Sequence, residues 1–287
     1  MRTLTVPAPA KLNLFLHVTG RRNDGYHTLE TLFVALDFGD TIKLSLRDDG
    51  AITSSGENFG VVPQNDLAVR AASGLKRASG CPSGVDIAVV KRIPLGGGLG
   101  GGSSDAASVL LALNRLWDLG MSREELASIG VELGADVPFF LCAEPALARG
   151  VGEILTPVSL PRLWVVVLVP ECTVPTATIF AAAELTRDSP SAKIGVFSEG
   201  YGRNDLQPVA VARHPEIGTA LQVLWAYSSA SRMTGSGSCV FAAFANEAQA
   251  RTAMAARPQA MRGFVARTLA RHPLAAFARR TERVPPR

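Results

Sequence analysis

Hydrophobic and polar positions first alternate near the amino terminus. Over residues 9–18, Leu12, Leu14 and Leu16 fall on one side of an extended chain, and Lys11, Asn13, Phe15 and His17 on the other. That period of two predicts a β-strand. Its polar side either meets water or turns Lys11 and Asn13 together toward a ligand. Arg21-Arg22-Asn23-Asp24-Gly25 follows as a basic turn with an Asp-Gly hairpin signal. Tyr26 and His27 then open the apolar run Leu29 to Leu36. Asp37-Phe38-Gly39-Asp40 reads as a turn, Thr41 to Leu46 as a third alternating strand, and Asp48 to Gly60 as a Gly/Ser-rich hairpin tip or loop.

The period then changes to that of a helix. Asn65 and Asp66 stand where an N-cap belongs, before Leu67, Val69, Ala71, Ala72 and Leu75, and Gly80 is a stop. Val85 to Val90 is a strand leading through Lys91-Arg92 into Pro94-Leu95-Gly96-Gly97-Gly98-Leu99-Gly100-Gly101-Gly102-Ser103-Ser104. Behind that stretch Ala106, Val109, Leu110, Leu113, Leu116 and Trp117 keep helical spacing, with Ser103 or Ser104 as the expected cap. Ser122-Arg123-Glu124-Glu125 is a capping box for a helix to Leu133. Asp136 lies between Gly134-Ala135 and Val137-Pro138-Phe139-Phe140. An aspartate in such apolar company either caps a turn or serves as a base.

Arg149-Gly150-Val151-Gly152-Glu153 reads as a hairpin connection, and Leu163 to Val169 restarts the pattern as a buried strand. A helix containing Phe180 follows Pro170 and Pro175. The restart predicts two domains, 1–158 and 159–287. In the second, the small-residue turn Met233-Thr234-Gly235-Ser236-Gly237-Ser238 precedes the apolar run Cys239 to Phe244. The arginine-rich stretch from Arg267 to Arg287 is expected to be an exposed helix and frayed end.

Composition adds boundaries. With 47% hydrophobic and 19% charged residues, the 287-residue chain is globular. A net charge of +4 suits anionic small molecules as well as nucleic acid, and so decides nothing alone. Aromatics at 6% argue against the interleaved stacking platforms of an RNA binder. Cys81, Cys142, Cys172 and Cys239 are far apart, without a CxxC pair or a histidine cluster at ligand spacing. Four reduced cysteines are therefore expected, with neither a disulfide framework nor a structural zinc site. The first apolar stretch is broken by Asn13 and His17, and no run reaches the roughly 18 apolar residues of a membrane span. The expectation is a soluble, cytoplasmic protein.

The glycine stretch carries the chemistry. Six of the seven residues from Gly96 to Gly102 are glycine, a costly sequence to order unless backbone amides must approach a ligand. Before a helix, such amides and the helix dipole bind phosphate. A Walker A loop is excluded, because no lysine precedes Ser103 or Ser104. Gly96, Gly98 and Gly101 satisfy GxGxxG, yet Leu116-Trp117-Asp118-Leu119-Gly120 reads as a helix end where a dinucleotide site needs a second strand and its acid.

Three motifs in this order resemble the GHMP kinase superfamily of small-molecule kinases: Ala10-Lys11-Leu12-Asn13-Leu14, Pro94 through Ser104, and Met233-Thr234-Gly235-Ser236-Gly237. Gly25-Tyr26-His27, the triple-glycine form of the loop and Gly134 through Phe140 are similar to the members that act on a cytidine-diphospho methylerythritol. So are Arg149 through Glu153, Thr176 with Phe180, and Asn204-Asp205-Leu206. The resemblance spans residues 6–245 and implies an α+β, two-domain GHMP kinase fold. Its N-terminal domain would be ribosomal-protein-like and its C-terminal domain ferredoxin-like, with the active site between them.

It further implies transfer of the ATP γ-phosphoryl group, with Mg2+, to the 2-hydroxyl of that substrate. Asp136 would be the general base and Lys11 its neighbour. Asn13, Tyr26, His27, Thr176 and Phe180 would hold the substrate, Tyr26 and Phe180 by stacking on cytosine. Asn65 and Lys91 would lie by the ATP adenine or ribose. Pro94, Leu95, Gly96, Gly97, Gly98, Leu99, Gly100, Gly101, Gly102, Ser103 and Ser104 would surround its phosphates. A hydroxyl of Ser103 or Ser104 would help hold magnesium, and Asp105 would either help place it or cap the helix. The partners implied are these small molecules, with no nucleic acid and no membrane. Homoserine or mevalonate as acceptor would give Tyr26-His27 no base to stack on, and a non-catalytic nucleotide or RNA binder would leave Lys11 and Asp136 without a purpose.

Overall fold

The structure, a computed structural model, describes residues 2–55, 65–191 and 202–279. Strands β1 (Thr3–Arg21) and β2 (His27–Arg47) are the antiparallel arms of one long hairpin, joined by the expected basic turn, where Gly25 has φ 89°. The polar side of β1 is not wet: Lys11, Asn13 and His17 are all buried. The second half of the chain covers it. The Asn13 amide donates to Thr234 Oγ1 (2.9 Å), and the Leu16 amide donates to Arg203 O (2.9 Å).

Asp37-Phe38-Gly39-Asp40 is not a turn, because β2 runs straight through it, with Pro9 opposite Gly39 and Ala8 opposite Asp40 before a register shift between Pro9 and Lys11. Turn-like composition here serves a bulge. A Cβ on Gly39 would lie 2.2 Å from the Ala8 carbonyl oxygen, and Asp40 points inward to accept the amides of Arg92 (2.5 Å) and Ile93 (2.8 Å). The stretch expected as a loop from Asp48 to Gly60 contains β3 (Ile52–Ser55), while its residues 56–60 lie outside the described residues.

Helix α1 (Leu67–Ser79) starts as predicted, with Asp66 accepting the Ala68 amide at 2.8 Å, and Gly80 ends it at φ 68°. Strand β4 (Gly84–Val90) pairs with β2 and, in parallel, with β3. Next come α2 (Gly101–Leu116), α3 (Arg123–Leu133) and α4 (Val137–Cys142). The capping box of α3 is present in both directions: the Glu125 amide donates to Ser122 Oγ (3.2 Å), and the Ser122 amide to Glu125 Oε2 (2.7 Å). The predicted hairpin joins β5 (Ala146–Arg149) to β6 (Ile154–Pro157).

Strand β7 (Trp164–Val169) opens the second half, followed by α5 (Thr176–Phe180), α6 (Gln207–Arg213), α7 (Pro215–Trp225), β8 (Arg232–Met233), β9 (Val240–Phe244), α8 (Glu247–Ala255) and β10 (Arg262–Leu269). The main sheet runs β3-β4-β2-β10-β7-β9-β8, with β1 and β5 also on β2 and β6 on β5. Strand β10 joins the halves, pairing β7 from Arg262 to Arg267 and β2 at Thr268 and Leu269.

Three apolar clusters fill this α+β frame. One, including Leu44, Ile87, Leu110, Leu126 and Phe140, lies beneath α1–α4. Another, including Ile179, Leu206, Ile217, Leu221 and Val240, gathers the second half around Leu16 and Val18 of β1. The third, with Leu12, Leu36, Val165 and Phe241, draws on both halves. No helix among the described residues is long and apolar enough to cross a membrane.

The chain end departs from expectation. From Arg267 onward it completes β10 and makes a 3-10 turn at Ala275–Phe277, where an exposed helix was expected. Apolar burial decides this: Leu274 and Ala278 belong to the first cluster, and Asn114 Nδ2 donates to Phe277 O at 2.9 Å. These residues thus lie with the first half although they follow the expected 158/159 division. The last part of the expected tail, 280–287, lies outside the described residues.

His272 sits in this returning segment, buried, with Nδ1 accepting the Leu274 amide at 3.1 Å. Burial, helped by Arg123, pushes its pKa down from 6.5 to about 4. Between those values the unfolded chain takes up a proton that the folded chain refuses, so stability falls as pH drops through this window. The contribution is up to about 3 kcal/mol. Urea unfolding at pH 7 and pH 4.5 should therefore show the wild type losing more stability than His272→Gln. Equal losses would remove His272 from the account.

Candidate active site

Gly98 and Gly100 take positive φ (76° and 72°), and the first of them has no space for a side chain. A Cβ on Gly98 would fall 2.3 Å from Thr234 O in the second glycine turn. The Cys239 amide also donates to Gly97 O at 3.2 Å, so that turn fixes the loop's shape. Helix α2 begins at Gly101 with Gly100 as its N-cap and no side-chain cap, which corrects the expectation that Ser103 or Ser104 caps it. Left-handed Gly100 turns the loop directly into the helix. The first-turn amides are therefore left for an anion, and the dipole favours one there.

Ser104 is spent elsewhere: its hydroxyl is buried and donates to Pro9 O at 2.6 Å, tying α2 to β1. Ser103 is half-buried, and its Oγ would lie 3.8 Å from a Cβ on Gly134, at the turn that leads to Asp136. Leu95 stands exposed on the outer side of the loop.

Lys11 and Asp136 meet at the loop. The Lys11 amide donates to Leu99 O (2.9 Å), and its Nζ lies 3.4 Å from Asp136 Oδ2. The lysine side chain is 4% exposed and the aspartate 32%. Nζ also donates to Asn13 Oδ1 (2.5 Å) and lies 5.2 Å from the Phe33 ring centroid. Asp136 stands at the N-cap position of α4 but makes no side-chain cap bond, so its carboxylate serves the cleft and not the helix. Asn13 Nδ2 donates to Thr31 Oγ1 at 2.8 Å while Oδ1 accepts from Lys11. It positions the ammonium.

A second group forms around α5. His27 and Phe180 rings lie 5.1 Å apart at 30°. Arg187 Nε donates to His27 Nε2 (3.0 Å), and its other nitrogens donate to Phe180 O (3.1 Å), Ala182 O (2.6 Å) and Leu185 O (3.0 Å). Burial lowers the His27 pKa and Arg187 lowers it further, so the ring is held neutral. Because Nε2 accepts, the ring proton is assigned to Nδ1. Thr176 Oγ1 and Ser236 Oγ are 2.7 Å apart, linking α5 to the second glycine turn. Tyr26 does not join this group: it is 66% exposed on the hairpin tip and touches no other ring among the described residues.

Asn65 is exposed just ahead of α1, whose Leu67 would meet a Cβ on Gly102 at 3.3 Å, so the start of α1 borders the loop. Lys91, in contrast, lies beneath the loop. Its Nζ donates to Asp40 Oδ2 (2.5 Å) and Asp105 Oδ2 (2.7 Å) and would be 3.3 Å from a Cβ on Gly101. Burial pushes the Asp105 pKa up to about 7, with Lys91 opposing. Burial works against the Lys91 charge, yet Asp105 and then Asp40 hold its pKa above the usual lysine range. Besides burial, the neighbouring Asp40 carboxylate also weighs against the Asp105 charge. Asp105 therefore neither caps α2 nor faces outward.

Sequence reasoning missed Asp40 and Arg187. Asp40 was hidden in a turn-like tetrapeptide, and the only signal for Arg187 is a cation seven residues after Phe180.

The sequence matches the GHMP kinases N terminal domain over residues 66–144 and the GHMP kinases C terminal domain over residues 182–263. It is 56% identical over 271 residues to the 4-diphosphocytidyl-2-C-methyl-D-erythritol kinase of Thiobacillus denitrificans, covering 94% of this chain and 97% of that one. The fold is similar to a crystal structure of 4-(cytidine 5'-diphospho)-2C-methyl-D-erythritol kinase, with TM-score 0.80 and 37% identity over 92% of this chain and 99% of that one. A homoserine kinase from Cytophaga hutchinsonii shares the fold at TM-score 0.73 and 16% identity, covering 95% and 96% of the two chains.

Removing the cation beneath the loop should be costly. Lys91→Met leaves Asp40 and Asp105 together without a counter-charge and should lower stability by roughly 3–5 kcal/mol in urea unfolding. Asp105→Asn in the same background should restore part of the loss. An unchanged midpoint in Lys91→Met would show that the cluster holds nothing together.

Proposed function

From the premise that the chain belongs to the 4-diphosphocytidyl-2-C-methyl-D-erythritol kinases of the GHMP family, we propose how its residues perform their reaction. The reaction transfers the γ-phosphoryl group of ATP to the 2-hydroxyl of that substrate, a step in non-mevalonate isoprenoid biosynthesis. The observation that carries the reading is the pair Lys11–Asp136, 3.4 Å apart, with the lysine backbone bonded to the glycine loop.

ATP phosphates bind at the uncapped first turn of α2, where amides and dipole favour anions. The donors left for magnesium fit a cation bound chiefly through nucleotide phosphates: Ser103 keeps its hydroxyl, whereas Ser104 is spent on Pro9 and Asp105 on Lys91. Magnesium supplies charge neutralisation on those phosphates. Asn65 borders the adenosine, and Lys91 acts on the nucleotide through the loop it supports.

The acceptor hydroxyl, hindered on a tertiary carbon, lies against Asp136. Its proton passes to the carboxylate as the new O–P bond forms and the bond to ADP breaks. The Lys11 ammonium, held in place by Asn13, stabilises the negative charge that develops on the reacting oxygens. Cytosine binds against the His27–Phe180 pair, with His27 Nδ1–H available as a donor and Arg187 fixing both residues. Tyr26 provides an outer stacking surface from the hairpin, and Thr176 closes the acceptor side.

Asp136→Asn should lower kcat by about 10²–10⁴-fold, the usual worth of a general base, with KM for ATP within a few-fold of wild type. Phe180→Ala should raise KM for the cytidylyl substrate at least tenfold and leave that for ATP alone. Steady-state ADP release measures both. Near-normal turnover in Asp136→Asn would remove its role as base, and turnover of mevalonate or homoserine in preference to the cytidylyl substrate would overturn the acceptor.

A further inference from the structure

Three side chains with metal-ligand chemistry converge outside the kinase machinery. Cys172 lies on the connection from β7 to α5, His214 at the joint between α6 and α7, and Glu216 in the first turn of α7. The Cys172 sulfur, a His214 ring nitrogen and a Glu216 carboxylate oxygen all lie within 4.8 Å of one another. Cys172 and His214 are half-buried and Glu216 is exposed. Among the described residues nothing hydrogen-bonds or ion-pairs with the His214 imidazole or the Glu216 carboxylate, while Ser238 bonds the Cys172 thiol.

One sulfur, one imidazole nitrogen and one carboxylate oxygen form a donor set suited to a borderline ion such as zinc and ill suited to magnesium, which takes oxygen alone. With Zn–S near 2.3 Å and Zn–N and Zn–O near 2.1 Å, donors on one tetrahedral ion stand roughly 3.3–3.7 Å apart. The present donors, all within 4.8 Å of one another, stand at most about 1.5 Å wider than that spacing.

We propose that Cys172, His214 and Glu216 form a zinc-binding site with a fourth position for water. Cys172 also lines a cavity of about 510 Å³, together with Pro94, Leu95, Thr173, Ser238 and Arg262. Binding breaks the Cys172 S–H bond and forms S–Zn, and the proton leaves to solvent. The ion ties the entry of α5 to the α6–α7 joint. Thr173, next to the cysteine, would meet a Cβ on Gly96 at 3.3 Å, so the tethered segment also abuts the glycine loop.

Cobalt reports on such a site through thiolate-to-metal charge-transfer absorption. Full-length protein, stripped with a chelator, is titrated with Co2+ and then with Zn2+. The expected result is a near-ultraviolet band that saturates at one equivalent of Co2+ and is abolished by one equivalent of Zn2+. The band should be lost in Cys172→Ser and unchanged in Cys81→Ser and Cys142→Ser. Affinity should fall at least tenfold in His214→Gln and in Glu216→Gln, with Mg-ATP turnover checking that each variant is folded. Absence of the band in the wild type, its survival in Cys172→Ser, or wild-type affinity in both His214→Gln and Glu216→Gln overturns the site.

Discussion

Where Gly98 meets Thr234, the two glycine turns of the chain press together with room for a hydrogen and nothing larger. Around that contact, the Asn13 amide reaches Thr234 Oγ1, Cys239 reaches Gly97, and Lys11 reaches Leu99. Three segments more than 80 residues apart in sequence are thereby held together. The glycine loop owes its shape to this clamp, because a run of glycines has little preference of its own. Both halves must be folded for the loop to take this shape, which neither half could build alone.

The molecule uses a buried lysine and a largely enclosed one for different ends. Lys91 sits between Asp40 and Asp105, which consume its charge and anchor the strand before the loop to the helix after it. Lys11 has a single carboxylate, one third exposed, and shares its remaining capacity with the neutral amide of Asn13. Saturated charge makes a frame, whereas a charge left partly unanswered can act on a substrate. The sequence does not separate the two lysines. Their surroundings do.

Local features were legible in the chain. The period of two in β1, the Ser122–Glu125 capping box and the turn at Arg149–Glu153 each depend on neighbours within a few residues, and each is present in the structure. The site motifs gave Lys11 and Asp136 through family resemblance, and the fold brings them within contact. What escaped depends on distant partners. Gly39 and Asp40 look like a turn until β1 is laid against them. Ser103 and Ser104 look like caps until Gly100 goes left-handed and Pro9 takes the Ser104 hydroxyl. The arginines after Arg267 suggest an exposed end, yet Leu274 and Ala278 fill a core formed by residues far upstream. The cysteine at 172 and the histidine at 214 lie too far apart for spacing to relate them.

Strand β10 inserts between β2 and β7, and the residues after it seal the cluster beneath α2. Synthesis runs the other way. When the ribosome has delivered the first half, the β2 edge that β10 will cover is bare, and the floor of the first core lacks Leu274 and Ala278. An uncovered edge of this kind recruits other strands, and amino-terminal domains otherwise fold first as they emerge. For this chain, completion of the first half must wait for its last thirty or so residues. A nascent chain, or one truncated before β10, is therefore the state most exposed to misassembly.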